Sequence, residues 1–325
     1  MSYWLSGLDE AGYGPMLGPL VVGLTTLQSR EPIEPGAPWT DLFPAAGPPS
    51  RDKRGIAVAD SKRLHRPSSG DLSPLEEGVL AFVALERGGT PPKSFVELID
   101  HLTAGRSDYL ADYPWYRNAD LELPVSASSL TWMGKLRKLQ RTMTRVGISV
   151  AEVRAIPLEV LEFNRQLERL KTKGELNAWA IGRFLSWLWR QPGRNTSSAW
   201  SDRLGGRQRY GPLLAPLFPN SRFQVIEQEV TNQTYRIEAQ TGSQSLEIHF
   251  QKEGENVSFP TALASMTAKY VRELHMRLFN QWWQERLPEL KGTAGYPQDA
   301  RRFLGDIEEV RKSHDVDMSL LVRHR

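Results

Sequence analysis

Residues 7–19 read Gly-Leu-Asp-Glu-Ala-Gly-Tyr-Gly-Pro-Met-Leu-Gly-Pro. This run constrains the fold more than any other. Apolar, β-rich stretches lie on both sides of it, at Tyr3–Leu8 and Leu17–Leu27, and the glycines between them make a turn. The pattern predicts two consecutive antiparallel strands. Two adjacent carboxylates, Asp9 and Glu10, close the first strand and open the turn. Carboxylate oxygens at a strand end, facing a loop, suit a hard cation such as Mg²⁺ or Mn²⁺ held beside a phosphate. Gly12 and Gly14 carry no Cβ, so the loop backbone can approach a substrate closely.

Further along, residues 28–54 are rich in Pro, Gly and Ser and read as a long loop, with a short strand at Ile56–Ala59. Ser73 and Pro74 suit the N-cap and first position of a helix running to about Arg87. Residues 90–128 read as an irregular insertion with one short helix near Phe95–Leu102. Trp132, Leu136, Leu139, Met143 and Val146 fall at helical spacing. Val150–Ile156 reads as a strand, and Leu158–Leu170 and Glu175–Trp189 as helices. Ser198–Ser201 reads as a strand leading into Asp202. Phe223–Val230, Thr234–Ala239 and Ser245–Gln251 alternate, which predicts a β-hairpin or small three-stranded meander. A long helix from about Thr261 to Trp283 ends before Pro288, and 299–311 forms another helix. Strands followed by mixed β and α elements predict an α/β sheet covered by helices.

Composition narrows the chemistry. A chain of 325 residues, 40% of them hydrophobic, is long enough for a sizeable core. It has no cysteine, which excludes disulfides and Cys-ligated zinc. Its six histidines are scattered, with no His-Glu-x-x-His pattern, so a metal would lean on oxygen ligands. A pI near 9.0 hints at an anionic partner. The basic segments Arg51–Arg54, Lys62–Arg66, Lys135–Arg145 and Arg203–Arg209 are candidate nucleic-acid contacts. The sequence shows no transmembrane run of about 18 apolar residues and no signal peptide, which reads as a cytoplasmic protein.

The run at 7–19 resembles the first motif of the ribonuclease HII family, in which Tyr13 is usually Arg or Lys. Four more segments resemble that family, in its order. Asp60-Ser61-Lys62-Arg63-Leu64 is similar to its Asp-Ser-Lys-Lys-Leu. Asp202, before Gly205-Gly206, stands where a strand ends in Asp-Gly. Lys252-Glu253-Gly254-Glu255, then Pro260, then Ala264-Ser265-Met266-Thr267-Ala268-Lys269 resembles its Lys-x-Asp, Pro and Ala-Ser-Ile-x-Ala-Lys segment. Gly295-Tyr296-Pro297 resembles its C-terminal Gly-Tyr-Pro. Counting back ten residues from Ser265 puts the fourth carboxylate at Glu255, where the family has Asp; Glu253 is the runner-up.

The resemblance implies a ribonuclease H-like mixed sheet flanked by helices, with an added β-hairpin. Its catalytic domain would span 1–290, with insertions at about 28–54, 90–145 and 207–250, before a C-terminal segment at 291–325. It implies catalytic and metal-binding roles for Asp9, Glu10, Asp202 and Glu255. Two Mg²⁺ or Mn²⁺ ions, about 4 Å apart, would serve phosphodiester hydrolysis. Substrate contacts would come from Gly12, Tyr13, Gly14, Ser61, Lys62, Lys269 and Tyr296. The substrate would be an RNA–DNA hybrid or duplex DNA containing ribonucleotides. Successive strand side chains point to opposite faces, so Glu10 is expected past the strand end or contributing through its carbonyl. Tyr13, Glu255 and the insertions leave two alternatives open: a diverged nuclease of the same fold acting on another structured nucleic acid, or a catalytically silent nucleic-acid-binding module.

Overall fold

The computed structural model describes residues 2–50, 54–65, 70–205 and 207–324, with the side chains of Ser129 and Leu130 left aside. Of the basic segments, residues 51–53, 66 and 206 lie outside the described residues.

The strands are β1 (Tyr3–Ala11), β2 (Leu20–Ser29), β3 (Ala46–Gly47), β4 (Ile56–Ala57), β5 (Ile148–Leu158), β6 (Thr196–Asp202), β7 (Ser221–Gln228), β8 (Asn232–Ala239) and β9 (Ser245–Gln251). The helices are α1 (Ala37–Asp41), α2 (Ser61–Leu64), α3 (Ser73–Glu86), α4 (Phe95–Leu102), α5 (Ser129–Val146), α6 (Val160–Leu170), α7 (Lys173–Arg190), α8 (Gly211–Leu214), α9 (Gly254–Val257), α10 (Phe259–Gln284), α11 (Pro297–Asp306) and α12 (Glu308–Ser313).

Seven strands form one mixed sheet in the order β5-β2-β1-β6-β9-β8-β7. β2 is antiparallel to both β1 and β5, whereas β1, β6 and β9 run parallel. β8 and β7 then extend the sheet as an antiparallel hairpin. The expected mixed α/β sheet flanked by helices is what the chain forms.

β2 lies between β5 and β1 and is apolar on both faces, as a strand covered on two sides must be. Val21 and Leu27 enter the core on the side of α3, α4, α5 and α10. Leu20, Val22 and Leu24 enter the core on the side of α6, α7 and α8. The alternation is the two-residue period of a strand.

α10 begins with Ser258, whose hydroxyl accepts from the Thr261 N–H, and Pro260 sits in its first turn. It lies tightly on β1 and β2. A Cβ on Gly7 would fall 2.0 Å from the Thr261 nitrogen, and one on Gly23 would fall 2.3 Å from the Ala264 oxygen. Only glycine permits that approach, and it brings the Ser265 turn of the helix over the end of β1.

Several local expectations need correction. Ile56–Ala57 pairs with Ala46–Gly47 in a separate two-stranded sheet, so the loop at 28–54 carries α1 and β3. Ser73 is the first helical residue of α3, not its cap; Asp71 accepts its N–H at 2.9 Å. β7, β8 and β9 form the expected antiparallel meander, but it is not separate: β9 also pairs in parallel with β6, which joins the meander to the main sheet. The C-terminal helix divides into α11 and α12.

Candidate active site

Three parallel strands deliver their C-terminal ends to one place. Leu8 of β1 stands opposite Ser201 of β6, and Asp202 stands opposite Gln251 of β9. Beyond those levels come Asp9 and Glu10 on β1, Asp202 as the last residue of β6, and Glu255 in the short α9 that follows β9. The carboxyl ends of parallel strands are the usual ligand-facing edge of such sheets.

Asp9 faces α10. Its carboxylate is hydrogen-bonded to Ser265, whose hydroxyl oxygen lies 3.1 Å from that of Ser61. Loss of water holds the Asp9 carboxyl well above the ordinary range, and the Glu10 charge adds to that; the Ser265 bond works against it. Glu10 lies within β1, opposite Val22, and not past the strand end as expected. Its side chain turns to the other face and is hydrogen-bonded to Asn177 of α7. The strand period is simply obeyed, and the two faces are served by different helices. Burial raises the Glu10 carboxyl to about 7, with Asp202 and Glu255 contributing repulsion.

Asp202 accepts from the Gly254 N–H at 3.4 Å, which ties β6 to α9. Glu255 is only 7% exposed, and its Oε2 has no hydrogen-bond partner. Burial raises its carboxyl, with Asp202 and Asp60 adding to the effect. Glu253, two residues earlier, is exposed and sits in the left-handed region at φ 56°. Of the two glutamates, Glu255 is the one placed among the other acids.

Lys62 is the cation of the group. Partial burial works to lower its ammonium, but Asp60, Asp9, Glu255 and Asp202 outweigh it and raise it. Asp60 caps α2 by accepting the Lys62 N–H at 3.1 Å. Lys269 is held by Glu273, four residues on in α10, with Nζ at 2.5 Å.

The glycine loop is clamped from behind by two buried arginines. Arg272 of α10 donates to the carbonyls of Pro19, Leu17 and Ala294. Arg323 donates to the carbonyls of Gly18 and Gly12, at 2.7 and 2.6 Å. Gly12 is at φ +88°, and a Cβ there would meet the Pro19 oxygen at 2.7 Å. Tyr13 and Tyr296 are exposed beside this loop, at 42% and 52%. The Tyr296 ring lies 3.8 Å from where a Gly14 Cβ would stand. The Met16 N–H donates to the Gly295 carbonyl at 2.7 Å, which fixes the two segments together.

Asn177 and Arg323 escaped the sequence reading, and Asp60 was noted only as part of a motif, with no role of its own. Asn177 adjoins the apolar stripe of α7 and is buried, so a polar residue at that position was its only signal. Nothing local marks Arg323, whose partners lie some 300 residues away.

The donor set suits a divalent cation: oxygen ligands only, like charges that repel, and one buried orphan oxygen on Glu255. Among the described residues, no three acids or histidines stand together as a ligand cage in this arrangement.

No protein-family model and no curated protein matches the chain. It is similar to solved structures of ribonucleases H, among them these three. Ribonuclease HII of Archaeoglobus fulgidus, seen in a complex with PCNA, is 16% identical, with 99% of this chain and 94% of that chain covered and a TM-score of 0.43. Ribonuclease H2 of Pyrococcus horikoshii OT3 is 13% identical, with 98% and 92% covered and a TM-score of 0.44. Bst-RNase HIII, in complex with Mn²⁺, is 12% identical, with 99% and 66% covered and a TM-score of 0.41. Identities this low and superpositions this loose carry no functional inference, which rests on the residues of this chain. Among the described residues, no helix is long and apolar enough to cross a membrane.

Proposed function

We propose that this protein is a metal-dependent endonuclease that hydrolyses the RNA strand of RNA–DNA hybrids, including ribonucleotides embedded in duplex DNA. The observation that supports the reading is the placement of Asp9, Glu10 and Asp202 at the C-terminal ends of parallel strands, with Glu255 in the short helix that follows β9, beside a clamped glycine loop. The motif resemblance supplies the substrate class.

Asp9, Glu10, Asp202 and Glu255 would hold Mg²⁺ or Mn²⁺. A bound divalent ion supplies an activated water at neutral pH and stabilises charge on phosphoryl oxygens. The residues of the chain do the rest. Ser265 and Asn177 hold Asp9 and Glu10 on opposite faces of β1. Lys62 brings a positive charge to the acids, suited to a phosphate oxygen. The backbone of Gly12-Tyr13-Gly14 and the exposed ring of Tyr296 form a surface for the sugar that carries a 2′-hydroxyl. Arg272 and Arg323 keep that surface rigid by occupying the loop's carbonyls.

The test is cleavage of a labelled DNA duplex bearing one ribonucleotide, with Mg²⁺ or Mn²⁺. An all-DNA duplex, a long RNA–DNA hybrid and the Asp9→Asn variant are run beside it. Incision at the ribonucleotide, lost by at least about 100-fold in the variant, is the expected result. Cleavage of the long hybrid alone would remove the embedded-ribonucleotide part. No metal-dependent cleavage of any substrate would sink the nuclease reading.

A further inference from the structure

A cavity of about 950 Å³ opens beside β5, on the edge of the sheet away from β6 and β9. One wall is α7, which presents Trp179, Arg183, Trp187 and Arg190 at helical spacing. The opposite wall carries Arg106 and Tyr109, and residues 154–158 of β5 form the floor. None of these residues belongs to the carboxylate group.

The cavity's charges are not balanced internally. Arg154 is paired with Glu86, and Arg165 with Glu162. Among the described residues, Arg106, Arg183 and Arg190 form no ion pair with an acid. Two acids remain on the lining, exposed Asp112 and buried Glu159, and Glu159 accepts from the Tyr116 hydroxyl at 2.6 Å. Arg183 is half-buried; desolvation lowers its guanidinium, and the Arg106 charge lowers it further. Two guanidiniums near enough to repel, neither paired with an acid, form an incomplete electrostatic arrangement. A group with more than one negative charge, or two adjacent ones, would complete it.

The lining includes the aromatic side chains of Tyr109, Trp179, Phe184 and Trp187. Arg183 lies 5.2 Å, and Arg169 5.8 Å, from the centre of the Trp179 ring. Guanidinium planes and indole faces both accept a stacked heterocycle. An extended peptide is a poor fit, because the strand edge is partly occupied. The Val153 N–H donates to Glu86 at 2.9 Å, the Val153 carbonyl accepts from Arg154 at 2.7 Å, and Pro157 has no N–H to offer. A strand added here would find a ladder interrupted at Val153 and Pro157.

We propose that this cavity is a nucleotide-binding site, in which Arg106 and Arg183 take the phosphate and the aromatic wall takes the base. The shared chemistry is a nucleotide phosphate with its base, and it has two sources: a free mononucleotide, or one unit of an unpaired nucleic-acid strand. The site stands apart from the nuclease reading, since it requires no carboxylate of the candidate active site.

The experiment is calorimetric titration of the full chain in EDTA, where metal-dependent cleavage cannot occur. The probes are AMP, a 5′-phosphorylated five-nucleotide DNA strand, inorganic phosphate and a glutamate-rich peptide. AMP or the oligonucleotide is expected to bind, with phosphate at least tenfold weaker. Arg183→Ala should weaken that binding at least tenfold. Arg106→Glu, at an exposed position, should do the same without disturbing the fold, and Asp9→Asn should leave it unchanged. A tighter AMP points to a free nucleotide, and a tighter oligonucleotide to a strand; either supports the site. Phosphate as tight as AMP would overturn the nucleotide assignment. Preference for the acidic peptide would overturn it as well, as would nucleotide binding that ignores both arginine substitutions. These outcomes are independent of whether the cleavage assay succeeds.

Discussion

Glu76 and Glu255 are both buried glutamates, and their surroundings are opposite. Glu76, in the first turn of α3, is 0% exposed. It accepts from the backbone N–H groups of Val125, Ser126 and Ala127 at 2.7, 2.7 and 2.6 Å, and from the Tyr270 hydroxyl at 2.5 Å. One carboxylate thereby ties the segment before α5 to α3 and α10. Glu255 instead leaves Oε2 without a partner and feels Asp202 and Asp60 as like charges. A charge with all its hydrogen bonds stabilises a fold. A charge without them, among others of its sign, costs stability and is poised for a ligand that is itself charged.

The largest expected effect is at the satisfied site. Glu76→Ala orphans three N–H groups and a hydroxyl, and should destabilise the protein by about 3–5 kcal/mol in urea unfolding at pH 7. A loss below about 1 kcal/mol would erase the contrast.

The second way to break the comparison is pH, where the two regions have opposite signs. His275 of α10 is fully buried, with Nδ1 against the Val271 carbonyl at 2.7 Å and Nε2 against the Tyr109 hydroxyl at 2.8 Å. Burial lowers its imidazole to about 4. The folded protein therefore keeps it neutral, while the unfolded chain takes up a proton below about pH 6.5. This contribution is complete above pH 6.5 and is lost as pH falls toward 4, by up to about 3 kcal/mol. Glu10, raised to about 7, does the reverse: its contribution is complete below about pH 4.5 and is lost as pH rises through 7. Unfolding curves without divalent metal should separate them. His275→Gln should leave a protein that loses more stability on going from pH 4.5 to 7, and Glu10→Gln one that gains more. Parallel profiles for the two variants would refute the assignment of opposite signs.

Glu255→Gln sharpens the contrast at smaller scale. Removing one of the repelling charges should stabilise the metal-free protein by about 1 kcal/mol while lowering cleavage at least tenfold. Adding Mn²⁺ should raise the melting temperature of the natural protein more than that of the variant. Equal shifts would argue against Glu255 as a ligand. Smallest of all for stability is Tyr296→Ala. The ring is 52% exposed, so unfolding should change by less than about 0.5 kcal/mol, and the effect should appear in KM for the ribonucleotide substrate. An unchanged KM would remove Tyr296 from the sugar surface.

Much of this was legible in the chain because it is local. Phe95–Leu102 is a helix with the bounds its pattern gave, under a Ser94 cap. α10 follows from its apolar face, although the helix starts at Phe259, two residues before the expected Thr261. Asp9, Glu10, Asp202 and Glu255 could be singled out because each stands at a strand end or in a recurring segment. Register, burial and recruitment were not legible. The sequence could not separate Glu253 from Glu255, because the difference lies in one left-handed residue and one buried one. It also misplaced Glu10, because whether β1 continues through residue 10 depends on β2 pairing that far, at Val22.

Local periodicity, caps and motifs by themselves determined the elements and the candidate acids. The tertiary structure decided that β9 enters the sheet beside β6, that Asn177 and Ser265 take opposite faces of β1, and that Arg323 reaches back to the loop at Gly12. Those are contacts between residues far apart in the chain. Their free energy comes from burial and hydrogen bonds that exist only once the sheet has closed around them, so no window of sequence contains it.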